Sequence, residues 1–131
     1  MTLVVDASAV VAALVDSGPL GMWADSVLMR EGLAAPHLMP VEAANILRRS
    51  ALAGAISPDI AALAHGDLNR LRVRLFPYRP FVDRVWQLRS TLTCYNAWYV
   101  AVAEVLDVPL VTLDQRLARA PGPRCRFELP S

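Results

Sequence analysis

With 131 residues, 55% of them hydrophobic and 19% charged, the chain has the length of one ordinary domain and more apolar surface than a lone small domain needs, so part of it is expected to meet a partner. Its longest apolar runs, such as Ala7–Val15, are too short to cross a bilayer, and no basic start leads into an apolar segment and cleavage site; a cytoplasmic protein is expected. The formal net charge of +1 hides an asymmetry, because residues 1–67 hold seven acids against three arginines while residues 68–131 hold ten arginines against five acids.

That balance is compatible with a polyanionic partner but is far from a basic tail. All 13 basic residues are arginine. Cys94 and Cys125 fit neither a metal cluster nor a disulfide framework and read as small buried hydrophobes.

Along the chain, Thr2-Leu3-Val4-Val5 is a short β-branched run that predicts a buried strand. After Asp6, a helix is expected from Ser8 to Val15, ended by Asp16-Ser17-Gly18-Pro19. A second helix runs from Gly21 to about Arg30 and is closed by Gly32, before a short strand at 34–38. Pro40 suits a first helical turn, so Val41 to Ala53 is helical, and Ser57-Pro58-Asp59 opens another helix to about Arg70. Val73–Pro77 predicts a strand, and helices follow from Pro80 to Thr91 and from Tyr95 to Leu106. Pro109–Leu113 is a second convincing buried strand, followed by Asp114, a short helix and a last strand at Cys125–Leu129. Short apolar strands alternating with longer helices imply an α/β fold, a three-layer α/β/α domain around a mostly parallel sheet, with the chain forming one domain.

In such sheets ligands gather beyond the carboxyl ends of the strands. Two of the best strands end in aspartate, Asp6 and Asp114, while Glu42 and Asn96 fall in the first turns of helices, whose positive ends favour carboxylates and phosphates. Taken singly, each acid reads first as a helix cap or strand end. Taken together, three carboxylates at one place repel unless a cation holds them. Oxygen-only ligands select a hard ion, Mg2+ or Mn2+, and the chemistry this serves is phosphodiester hydrolysis.

The segments Val4-Val5-Asp6-Ala7-Ser8-Ala9, Pro40-Val41-Glu42-Ala43-Ala44-Asn45-Ile46-Leu47, Tyr95-Asn96-Ala97-Trp98-Tyr99-Val100 and Pro109-Leu110-Val111-Thr112-Leu113-Asp114 resemble, in order and spacing, the four acidic segments of PIN domains. Size and sequence are most similar to the VapC toxins of bacterial toxin–antitoxin pairs. The resemblance implies an endoribonuclease with Asp6, Glu42 and Asp114 as metal ligands, a homodimer, and a VapB-like antitoxin partner. Asn96 stands where the family has its third aspartate. An amide keeps a carbonyl oxygen but loses the charge, and a natural variant and an inactivating substitution both fit the residues. Two readings follow: a ribonuclease weakened at Asn96, or a PIN-fold module that binds RNA or antitoxin without cutting.

Supporting roles follow the same pattern. The resemblance makes Thr112 a hydrogen-bonding neighbour of the acids; Ser8 caps the first helix or orients Asp6, with the cap preferred, and Asn45, a turn after Glu42, is placed to hold its carboxylate. One of Arg48 and Arg49 is a candidate to pair with a site acid. Arg72, Arg74, Arg116 and Arg119 are candidates to track an RNA backbone, Arg72 and Arg74 sharing one side of a strand. His37 and His65 lack a ligand-spaced partner and read as structural, while Trp23, Trp86, Trp98, Tyr95 and Tyr99 read as core or interface. Receiver domains and haloacid-dehalogenase-type phosphatases also carry strand-end acids, but both lean on a lysine that this chain lacks, and Ser8 stands where the phosphatases need a second aspartate. Gly18 and Gly21 come too late for a dinucleotide-binding loop, and there is no nucleophile–histidine pair.

Overall fold

The computed structural model describes residues 2–30 and 32–131. Five parallel strands, β1 (Thr2–Val5), β2 (Gly32–Pro36), β3 (Val73–Phe76), β4 (Leu110–Val111) and β5 (Phe127–Glu128), are ordered β3-β2-β1-β4-β5. The expected mostly parallel sheet is thus parallel throughout. Leu3, Val4, Val5, Ala34, Ala35, Leu110 and Val111 are all buried, so the central strands read as unbroken apolar runs rather than alternating ones.

The chain first steps from β1 outward to β3, then jumps back to β4 on the other side of β1. Right-handed crossovers consequently place α1 (Ala7–Val15), α2 (Pro19–Arg30), α3 (Met39–Leu52) and α4 (Pro58–Arg70) on one face of the sheet. α5 (Val82–Gln87) and α6 (Cys94–Leu106) cover the other, α6 lying against β1, β2 and β4. α7 (Gln115–Arg119) follows β4. The reversal of direction between β1 and β4 is the switch point at which α/β sheets open a crevice.

Local signals set most boundaries. The Ser57 hydroxyl accepts from the Ile60 amide at 3.1 Å and Pro58 occupies the first turn of α4. Elsewhere the chain departs from expectation. Pro19 opens α2 rather than serving only to stop α1, because a proline without an N–H loses nothing in a first helical turn. Gly32 begins β2, which ends at Pro36, with His37 and Leu38 in the turn that follows. The helix expected over 80–91 is divided into a 3-10 turn at Arg79–Phe81 and the short α5.

The α1–α2 corner bends by 112° and brings the two helices close. A Cβ on Gly21 would lie 1.8 Å from the backbone oxygen of Asp16. Gly21→Ala is therefore expected to destabilise the fold by about 3 kcal/mol, as overpacking against immovable backbone does, read as a lowered Tm. Apolar side chains that remain exposed include Met22, Met29, Leu52 and Leu63, in keeping with the surplus apolar composition.

Candidate active site

The register of β1 against β4 pairs Val5 with Val111, so Asp6 and Thr112 emerge side by side at the carboxyl end of the sheet. The Asp6 amide donates to the Val111 carbonyl at 3.1 Å, continuing the ladder by one step. Asp6 is 7% exposed and Thr112 fully buried. One carboxylate oxygen of Asp6 accepts from the Ser8 hydroxyl at 2.6 Å and from the Ala9 amide at 3.0 Å; the other accepts from the Thr112 hydroxyl. Asp6 is consequently the N-cap of α1, and Ser8 orients it, reversing the preference for Ser8 as the cap. The Ser8 and Thr112 hydroxyls also accept from the backbone amides of Leu113, at 3.3 Å, and Asp114, at 3.0 Å. These bonds tie the start of α1 to the start of α7.

Asp114 caps α7 through one oxygen, which accepts from the amides of Arg116 and Leu117. Glu42 lies in the first turn of α3 and Asn96 in that of α6, where the Thr93 hydroxyl accepts from the Asn96 amide at 3.1 Å. Four helix starts thus surround the switch point, and Asp6, Glu42, Asn96 and Asp114 line one cleft of about 160 Å³. Capping a helix and lining the cleft are not alternatives here, since both aspartates do both.

The hydrogen-bond partner of Glu42 is Tyr99, whose phenol donates to it at 2.7 Å. Asn45, expected in that role, is exposed and lines a neighbouring hollow instead. Tyr99 sits one turn after Asn96 on the same helix face, a spacing that points both toward the cleft. Burial and the Glu42 charge hold its phenol protonated far above the ordinary 10.0, so it acts as a permanent donor.

Burial pushes the Asp6 carboxyl up, against the lowering effect of its hydrogen bonds, and the Asp114 charge adds to the rise. Glu42 is likewise raised by burial and by the Asp6 charge, against the lowering effect of Tyr99. The carboxylates strain one another, and a cation between them would relieve both effects.

Tyr99→Phe removes the donor but keeps the ring. It is expected to cost about 1–2 kcal/mol of stability. It should also move the Glu42 carboxyl further up, so that the acidic limb of the pH–activity profile shifts to higher pH. An unmoved limb would show that Tyr99 does not tune Glu42.

Among the described residues, no three carboxylate, imidazole or thiolate groups converge tightly enough to enclose an ion alone. Asp6, Glu42 and Asp114 with the Asn96 carbonyl are hard oxygen donors around an open space. This suits an ion such as magnesium, which takes one or two carboxylates and keeps water for the rest of its shell.

The other candidates are more scattered. Arg48 and Arg49 are exposed, and no described ion pair ties either to a site acid. Arg72 precedes β3 rather than lying in it, and Arg74 is exposed with its guanidinium 4.9 Å from the centre of the Phe76 ring. Two strands separate β3 from β4, so this pair stands apart from Arg116 and Arg119 on α7, and the four do not form one patch. Arg119 leans on Gln115, while Arg116 lines a hollow beside Asn96 and Asp114. His37 is exposed, its amide bonded to the Phe76 carbonyl, and His65 lies near Asn69. Cys94 is exposed at the start of α6, not buried, whereas burial pushes the partly covered Cys125 thiol up to about 11. Trp86 and Tyr95 are exposed rather than in the core.

A PIN-domain family model matches residues 3–123. Among curated relatives, Ribonuclease VapC1 of Mycobacterium tuberculosis is 42% identical over 127 residues, spanning 96% of each chain. Among solved structures, PAE2754 from Pyrobaculum aerophilum superposes with a TM-score of 0.67 at 27% identity, over 90% of this chain and 83% of that one. VapBC2 from Rickettsia felis, solved bound to a DNA fragment from its promoter, gives 0.66 at 11% identity over 98% of each chain, a likeness of fold alone. A family model spanning the strand-end acids and a relative this similar along almost its full length agree: the chain belongs to the PIN-domain family, among the VapC ribonucleases.

Proposed function

We propose that the protein is a Mg2+- or Mn2+-dependent endoribonuclease toxin that cleaves RNA phosphodiester bonds at the Asp6–Glu42–Asn96–Asp114 cleft. The observation that carries this reading is the gathering of these four side chains, from four remote segments, in one cleft at the switch point of the sheet. Asp6, Asp114 and Glu42 would hold the ion. When bound, it supplies positive charge against the scissile phosphate and eases deprotonation of the attacking water.

The protein's own groups set the geometry. Ser8 and Thr112 fix both oxygens of Asp6, the Thr112 hydroxyl holds the Asp114 backbone, and Tyr99 fixes Glu42. Asn96 offers a carbonyl oxygen to the ion or an N–H to a phosphate oxygen, but no charge. That missing charge favours a second reading, a PIN-fold module that binds RNA or antitoxin without cutting.

A VapB-like antitoxin and a second copy of this chain are the proposed protein partners, supported by the exposed Met22, Met29, Leu52 and Leu63. A cytoplasmic location is proposed with them; no single helix among the described residues is long and apolar enough to cross a membrane.

Incubation of the purified protein with RNA, with magnesium and with EDTA, tests the nuclease reading. Cleavage that needs the ion supports it. No cleavage with RNA still bound supports the non-cutting module, and cleavage undiminished by EDTA contradicts the acidic site.

A further inference from the structure

The acidic cleft does not stand alone. On the α3 side, a hollow of about 300 Å³ is lined by Leu38, Val41, Glu42, Asn45 and Tyr95, and it shares Glu42 with the cleft. On the α7 side, a second hollow of about 340 Å³ shares Asn96 and Asp114 with the cleft and is lined also by Thr91, Thr93 and Arg116. The three spaces therefore adjoin in a row, aromatic at one end, acidic in the middle and cationic at the other.

Tyr95 is the unusual member. It lies in the first turn of α6 beside Asn96 and is 60% exposed, although the next turn of that helix buries Tyr99 and Val100. Val41, across the same hollow, is 64% exposed. Folding gains little from an aromatic ring left in water, yet this ring lines the hollow beside the cleft.

We propose that Tyr95 is the stacking platform for an unpaired nucleobase of the RNA next to the scissile phosphate, and that the strand leaves the cleft past Arg116. The inference rests on the ribonuclease reading and adds a base-binding subsite to it. Three features select single-stranded RNA as the occupant. The hollow adjoins the cleft in which the phosphate would sit and shares Glu42 with it. Every base offers a π-face to a ring, so stacking suits a strand of any sequence. The acidic centre repels a polyanion, so affinity must come from its flanks, where Tyr95 supplies an uncharged contact and the exposed Arg116 a cationic one. Asn45, which lines the same hollow, carries an amide of the kind that reads a base edge, and makes Tyr95's neighbour the place where base preference is set. A duplex keeps its bases paired and stacked, so the subsite favours unpaired RNA.

The test compares wild type, Tyr95→Ala and Tyr95→Phe on a labelled single-stranded RNA. Affinity is read by fluorescence anisotropy in calcium buffer, and KM and kcat are read in magnesium. Because Tyr95 is exposed, all three proteins should melt together. Tyr95→Ala should weaken RNA affinity and raise KM by about tenfold, with Tyr95→Phe close to wild type. The turnover number should change by less than about twofold, since the ring touches the base and not the reacting atoms. An RNA with an abasic site at the stacked position should bind wild type as weakly as the intact RNA binds Tyr95→Ala.

If wild type cuts RNA and Tyr95→Ala keeps its affinity and KM, the subsite is wrong and the ribonuclease reading stands. If wild type binds without cutting and Tyr95→Ala loses affinity, the ribonuclease reading fails and the subsite stands. Loss of antitoxin affinity alone, with RNA affinity intact, would assign this face to a protein partner and overturn the proposal. RNA neither bound nor cut by wild type would overturn both.

Discussion

Asp6→Asn is expected to abolish RNA cleavage, lowering the rate by on the order of 10³, while the metal-free protein melts no lower than wild type. The substitution is close to isosteric. The asparagine carbonyl can keep the bonds from Ser8 and Ala9, and the new amide N–H₂ faces Thr112, whose hydroxyl turns from donor to acceptor. What disappears is the charge that draws the ion.

The same charge is costly without one, because burial and the Asp114 charge raise the Asp6 carboxyl. An acid raised on folding contributes stability that is complete below its ordinary value, here 3.8, and is lost as the pH rises through the raised one. In EDTA, therefore, the Tm advantage of Asp6→Asn should be full near neutral pH and close as the pH falls through the raised value of Asp6. Adding magnesium near neutral pH should lift the Tm of wild type by mass action and leave the variant unmoved. A variant that still cleaved, or that still gained Tm from magnesium, would remove Asp6 from the site.

Asn96→Asp is expected to act in the opposite direction. The side chain at this position lines the cleft with Asp6, Glu42 and Asp114, and its backbone amide is already capped by Thr93. A carboxylate in the first turn of α6 also suits the helix dipole, so the change should not disturb the helix. A fourth negative charge should tighten divalent ion binding by about tenfold or more, roughly 1.4 kcal/mol, and raise cleavage by a similar factor. Without an ion, the added repulsion should lower the Tm and raise the Asp6 and Glu42 carboxyls further. Calorimetric titration with magnesium and an RNA cleavage assay read the two effects. Equal activity in both forms would show that this position does not limit the enzyme.

Much of this molecule can be read from its residues, for definite physical reasons. Strands buried on both faces must be apolar throughout, so Leu3–Val5 and Leu110–Val111 announce a parallel sheet. A parallel sheet with a switch point dictates where its crevice lies, and the two strands that lead into Asp6 and Asp114 are the two that flank it, although β4 stops at Val111 and not at the expected Leu113. The Ser57-Pro58 helix start is an equally local signal.

What escaped was what depends on partners from elsewhere in the chain. Spacing along α3 favours Asn45 as the support of Glu42, yet the group that reaches it is Tyr99, from a helix across the cleft. Ser8 has the chemistry of a cap, but Asp6 already occupies that position and leaves the hydroxyl to orient it. Pro19 reads as part of the stop after the first helix, yet it opens the second, because a first helical turn needs no N–H from it. Arg72 and Arg74 share a sequence neighbourhood with one another but not a surface with Arg116, because strand order, not chain order, decides adjacency. The exposure of Cys94 and Tyr95 at the first turn of α6 likewise follows from where that helix begins to be covered, which composition does not reveal.

The acidic metal site stands or falls on where a divalent ion binds. Crystals grown with manganese, at a concentration that supports RNA cleavage, should show an anomalous scattering peak between Asp6 and Asp114, within reach of Glu42, and the peak should vanish in Asp6→Asn. Manganese bound elsewhere, or an empty cleft under those conditions, would contradict it.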